Sequence, residues 1–342
     1  MTTLRECLRR RQIICVTALT ALTGWANSLQ AQQIPRWQDP SPHKVEFVTV
    51  EENVRLEVLD WGGSGPSVVL LAGGGNTAHV FDGFAPKLAV SYHVYGITRR
   101  GFGASSIPAS GYEADRLGDD VLAVLDSLKL KRPVLVGHSL SGEELSSIGS
   151  RYSQHVAGLV YLDAGYQYAF DNGKGGTLDE LQKSANPLPQ PPTPNESDLA
   201  TFSSLQAWFT RINGVTLPEA EFRQGWDSTP DGHVGKRHNS PMASIMKGVK
   251  KYTDIPAPAL VIFAVPHDQG PWLKNHPDPA VREAAKARSA EEVVLVEKQA
   301  KAFENGVPSA HVVRLPGAHH YVFLSNESDV LREIRAFVTT LR

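Results

Sequence analysis

The chain has 342 residues, 41% of them hydrophobic and 20% charged, enough apolar material for one large domain or two small ones. Its formal net charge is −2, which removes any electrostatic case for a nucleic-acid partner. The two cysteines, Cys7 and Cys15, both lie near the N-terminus, so no disulfide framework is expected farther along.

A basic head of Arg5, Arg9, Arg10 and Arg11 precedes an apolar run from Ile13 to Ala26, with small residues at Ala26, Ser28 and Ala31. That order predicts a secretory signal peptide over 1–31, cut after Ala31 or Ser28. The Arg10-Arg11 pair loosely resembles a twin-arginine signal. The run is short for a membrane span, although an uncleaved anchor is the alternative. Cleavage removes four basic residues and one acidic one and leaves a cysteine-free protein of net charge −5. The expectation is an exported, periplasmic or extracellular protein with no stable membrane insertion.

Gln32 to His43 is polar, carries three prolines and reads as an extended arm. Val45–Val50 and Val54–Leu59 alternate apolar and polar residues, the pattern of an antiparallel hairpin. Ser67–Ala72 is a continuous apolar run, as in a strand buried on both faces. Gly73-Gly74-Gly75 follows it, where backbone N–H groups are free to face a ligand. Val80–Leu88 reads as a helix, Tyr92–Ile97 as a strand and Tyr112–Leu128 as an amphipathic helix. Arg99-Arg100-Gly101-Phe102-Gly103 forms a tight basic loop, with salt bridging favoured over contact with an anionic substrate.

The next stretch, Val134-Leu135-Val136-Gly137-His138-Ser139-Leu140-Ser141-Gly142, carries the strongest signal. A buried strand, a sharp turn with Ser139 at its apex and a helix starting behind it give the context of a nucleophile elbow. Ser141 departs from strict G-x-S-x-G but stays small. Glu143 and Glu144 suit a helix N-terminus, and His138 is read as a packing residue. Strand Gly158–Asp163 follows, and the strand–helix alternation predicts a doubly wound, mostly parallel sheet.

From about residue 166 to 255 the rhythm breaks. Five prolines crowd between Pro187 and Pro194, then Leu199, Phe202, Leu205, Trp208 and Phe209 recur at helical spacing. This reads as a helical cap inserted after the sixth strand, dividing the core into 32–165 and 256–342. Strands Ala259–Ala264 and His311–Leu315, helices Ala280–Phe303 and Asp329–Leu341, and the turn Pro316-Gly317-Ala318-His319-His320 complete the chain.

A serine hydroxyl needs a base, and the base needs an orienting carboxylate. Ser139, Asp268 and His320 each follow a strand, at the edge where open α/β sheets bind ligands, in the order serine, acid, histidine. His319 competes with His320, and Asp163, at the end of its own strand, competes with Asp268. His233, His238, His267 and His276 are spread over loops without a metal-ligand pattern, and no phosphate or dinucleotide motif occurs. Neither a metal nor a cofactor is therefore expected.

With these motifs the chain resembles the α/β-hydrolase superfamily from about Val45 to Arg342. The resemblance implies that Ser139 attacks a carbonyl carbon, His320 moves its proton, Asp268 fixes the histidine, and the N–H groups of Leu140 and Gly74 hold the oxyanion. It also favours His320 over His319, allows Asp163 as the acid in some relatives, and leaves Ala72 where many relatives have a histidine. The expected function is a serine hydrolase, carboxylesterase-like, acting on an ester or related acyl bond of a small apolar molecule. Lactonase, amidase, peptidase, carbon–carbon hydrolase and cofactor-free haloperoxidase activities share the triad; a non-catalytic receptor on the same scaffold is the rival from another class. Epoxide hydrolases of this fold look for an aspartate where Ser139 stands.

Overall fold

In the computed structural model, the described residues are 37–341 apart from 178, 181, 182, 184 and 185. The segment read as a signal peptide, and the beginning of the arm behind it, lie outside them. Lys44–Glu51 (β1) and Val54–Gly62 (β2) pair antiparallel as the alternation predicts. Ser67–Leu71 (β3) leads to a short 3₁₀ turn, Ala78–Phe81, and helix Ala85–Ala89 (α1). The single helix expected over Val80–Leu88 is therefore divided. Pro86 fits the first turn of a helix, where its missing N–H is not needed, but not the middle of one.

His93–Ile97 (β4), Ala114–Ser127 (α2), Val134–His138 (β5), Gly142–Arg151 (α3) and Gly158–Leu162 (β6) follow. The stretch after β6 holds Phe202–Asn213 (α4), Glu219–Gly225 (α5), the two-stranded ribbon Trp226–Ser228 (β7) with Val234–Arg237 (β8), and Met242–Gly248 (α6). The ribbon was not legible as strand, being only a few residues on each side. The chain ends with Ala259–Ala264 (β9), Gly270–Lys274 (α7), Pro279–Gly306 (α8), Ala310–Leu315 (β10), Val322–Ser325 (α9) and Glu327–Thr340 (α10). Among the described residues no helix is long and apolar enough to cross a membrane.

The eight-stranded sheet runs β1-β2-β4-β3-β5-β6-β9-β10. β2 is antiparallel to its neighbours and the rest pair in parallel. Side chains alternate along each inner strand. On β9, Ala259, Val261 and Phe263 join one core with Leu117, Leu145 and Phe303. Leu260, Ile262 and Ala264 join the opposite core with Phe84, Phe323 and Ile334. Both faces are thus dry, which explains the unbroken apolar runs. Each fully buried Leu, Ile or Phe contributes about 1.5–3 kcal/mol.

Register is what positions the site. His138 lies level with Leu162, Leu162 with Ile262, and Ala264 with Leu315. The residues that leave β5, β6, β9 and β10 therefore emerge side by side along one edge of the sheet.

Candidate active site

Ser139 leaves β5 with φ of +52°, a left-handed conformation that is uncommon for a residue with a side chain. The turn is tight enough that a Cβ on Gly137 would come within 2.5 Å of Ser141 Oγ, and one on Gly142 within 2.0 Å of the Ala164 carbonyl. Ser141 is accommodated because its hydroxyl turns inward and donates to the carbonyls of His138 (2.8 Å) and Leu71 (3.1 Å). Ser139 itself stays partly exposed. Its hydroxyl donates to His320 Nε2 at 2.9 Å, and the buried Tyr168 phenol faces it as well.

His320 follows β10 and turns its Nδ1–H to Asp163 Oδ2 at 2.6 Å. Asp163 leaves β6 with φ of +46° and is fully buried. Four donors converge on it. Oδ1 accepts from the Ala264 N–H (3.0 Å) and the Tyr166 hydroxyl (2.8 Å). Oδ2 accepts from His320 and from His267 Nε2, both at 2.6 Å. Burial alone would raise the carboxyl; the charge and hydrogen bond of His267, and then His320, overcome it and hold the group well below the usual carboxylate range.

This geometry corrects the expected acid. Asp268 makes no bond to His320. It lies four residues beyond β9, where its Oδ1 accepts the N–H of Gly270 (2.7 Å), the first residue of α7, and its Oδ2 pairs with Lys274 (2.7 Å), the last. Asp163 wins on position, because β6 sits directly between β5 and β9 and its first residue past the strand is already at the edge. Of the two histidines, His320 is the one that meets Ser139; His319 stacks on Tyr321, accepts the Tyr321 N–H and is lowered to about 4 by burial and by His320.

The glycine loop packs against the elbow. A Cβ on Gly73 would come within 3.0 Å of Ser139 Cβ and 2.9 Å of His138 Nδ1, and one on Gly74 within 3.2 Å of the Leu140 side chain. Gly74 and Leu140 thus sit together beside Ser139, with the Leu140 N–H opening a helical turn, where such groups lack an acceptor within the helix. Arg99 anchors the loop: buried, it donates to the carbonyls of Ala72 (2.9 Å) and Gly73 (3.3 Å) while paired with Glu144 through two bonds of 2.6 and 2.7 Å. A guanidinium therefore supports the loop that starts at Ala72. Arg100 is likewise salt-bridged, to Asp120 and Glu51, so both arginines take the structural role that the sequence favoured. His138 donates from Nε2 to the His320 carbonyl (3.0 Å), and burial and His320 lower it to about 3.

A family model, described as the alpha/beta hydrolase family, matches residues 68–333. The chain belongs to the alpha/beta hydrolase family. One relative within it is 2-(acetamidomethylene)succinate hydrolase of Mesorhizobium japonicum, 22% identical over 306 residues, 86% of this chain and 94% of that one. Epoxide hydrolase A of Mycobacterium tuberculosis is 39% identical over 113 residues, 32% of this chain and 35% of its own. Among solved structures, E-2-(acetamidomethylene)succinate hydrolase superposes with a TM-score of 0.61 at 19% identity, over 87% of this chain and 99% of that one. A serine hydrolase of carbazole degradation gives 0.53 at 15%, over 87% and 99%. These likenesses establish the fold and a hydrolase in general.

Within this family frame, a cavity of about 640 Å³ opens beside Gly74. Leu199, Leu205, Trp208, Phe209 and Phe222 from the stretch after β6 form much of its wall, with Tyr321 from the core. Glu221 of α5 ties that stretch down, accepting from Asn76 Nδ2 (2.9 Å) and the Thr77 N–H (3.0 Å). Sequence reasoning missed Tyr166, Tyr168, His267 and Glu292. Only His267 left a trace, as one of four loop histidines without a metal-ligand pattern. Asp163, His267 and His320 bring three donor atoms within 4.8 Å of one another, a grouping that could hold a metal ion, though each already bonds another of the three.

Proposed function

We propose that this hydrolase cleaves an ester or related acyl bond of a small apolar molecule through an acyl-enzyme on Ser139. The observation that carries the reading is the unbroken chain Ser139 Oγ–His320 Nε2 (2.9 Å) and His320 Nδ1–Asp163 Oδ2 (2.6 Å). In it Ser139 attacks the carbonyl carbon as its proton passes to His320. The oxyanion is received by the Leu140 and Gly74 N–H groups, and each such donor is worth about 2.7–4 kcal/mol in the transition state. His320 then protonates the leaving group, and water repeats the sequence to release the acid. Asp163 holds the His320 tautomer and stabilises its imidazolium.

An apolar substrate is supported by the aromatic and leucine wall of the cavity, where Arg237 is the one cation among the described lining residues. That wall suits a dicarboxylate such as the acetamidomethylene succinate of the relative's name less well. Epoxide opening is disfavoured because Ser139, not an aspartate, stands at the apex. Short p-nitrophenyl esters test the reading: the wild type turns over, Ser139→Ala loses about 10⁴–10⁶-fold in kcat, and a fluorophosphonate labels only the wild type at Ser139. Absence of labelling in an otherwise folded protein would favour a receptor role. We also propose export with removal of residues 1–31; recovery of the full-length chain from the cytoplasm alone would refute it.

A further inference from the structure

We propose that His267, backed by Glu292, is a positioning residue of this reaction: its imidazolium shares Asp163 Oδ2 with His320 and sets how strongly Asp163 supports the proton taken from Ser139. The inference rests on the serine-triad reading above. In a simple triad one carboxylate serves one imidazole. Here a single oxygen serves two, each at 2.6 Å, with the rings 6.1 Å apart. The other nitrogen of His267 meets Glu292 Oε1 of α8 at 2.8 Å. With a carboxylate on each ring nitrogen, His267 carries both protons. Burial opposes this, but the charge and hydrogen bond of Asp163, then Glu292, raise the group to about 10.

The consequence is electrostatic. A resident cation on Oδ2 takes up part of the carboxylate charge that would otherwise stabilise protonated His320. Glu292 returns some of it. The pair therefore adjusts His320 from outside the substrate cavity. The other charged or titratable groups around this cluster are His138 at the end of β5, which meets His320; Tyr166 after β6, which meets Asp163 Oδ1 and, at 3.3 Å, His267 Nε2; Tyr168, which faces Ser139; and His319 and Tyr321 beside His320; Asp268, after β9, acts on His319. None of them bonds Asp163 Oδ2.

The test is the pH profile of kcat/KM on a p-nitrophenyl ester for His267→Gln, Glu292→Gln and Asp268→Asn. His267→Gln keeps a donor for Asp163 but removes the charge, so the acid limb moves to higher pH by about half a unit or more. Glu292→Gln leaves the cation uncompensated and moves the limb to lower pH. Asp268→Asn superposes on the wild type. Opposite shifts from the two variants are what a merely structural role would not give. If His267→Gln fails to fold, Glu292→Gln decides alone, because its side chain is partly exposed on a helix. Loss of Ser139 labelling would sink the triad reading itself; intact labelling with both acid limbs unmoved would overturn the role of His267.

Discussion

A carboxylate can orient a histidine only where it is itself held, and Asp163 is held by four donors while Asp268 faces Lys274 and a helix start. Asp163→Asn is expected to lower kcat by about 10⁴-fold, the drop seen when a triad carboxylate loses its charge. Asp268→Asn is expected to leave ester turnover within a factor of two. Steady-state kinetics on one substrate separates the two, and equal losses would return Asp268 to the site. The serine and the histidine were legible because small residues around Ser139 and the glycine turn before His320 are local features. The acid was not. Both aspartates follow buried strands on the same edge, and deciding between them requires the β5-β6-β9 order, which no local pattern encodes.

At the scale of elements, the inner strands and long helices were legible as unbroken apolar runs and helical periodicity. Pro86 split one helix and the β7–β8 ribbon went unseen, because a break or a three-residue strand leaves no period to read. The apolar stripe of α4 divides between core and cavity. Phe202 and Leu205 are buried, whereas Trp208 and Phe209 are partly exposed and join Leu205 in the cavity wall. Phe209 packs edge-on against Phe222 at 5.6 Å and faces Tyr321 at 6.3 Å. Phe209→Ala should therefore raise KM for an aromatic or long-chain ester about tenfold and leave acetate esters unchanged. A uniform loss over the ester series would mean that α4 supports the fold and not the choice of substrate.

The whole molecule carries an imbalance that should show in its stability. Glu143 opens α3 directly behind the elbow, fully buried, and neither oxygen has a hydrogen-bond partner among the described residues. Burial and then Glu144 raise it to about 8, so the folded protein keeps a proton that the unfolded chain releases near 4.5. Folding stability from this group is complete below about 4.5, declines as pH rises, and is lost above about 8. His267 acts in the same direction over a later window, complete below about 6.5 and lost as pH rises through about 10. His138, lowered to about 3 by burial and His320, opposes them only on the acid side, where its contribution fades as pH falls below about 6.5. Above neutrality the two raised groups act together, so Tm should fall steadily from pH 6.5 to pH 9. Glu143→Gln removes one titration and should flatten the decline between about pH 4.5 and about pH 8, while leaving the range below about 4.5 unchanged. Thermal melts of both proteins across this range measure the difference directly. Parallel curves would mean that Glu143 is already ionised in the fold, with a partner or solvent path that its burial argues against.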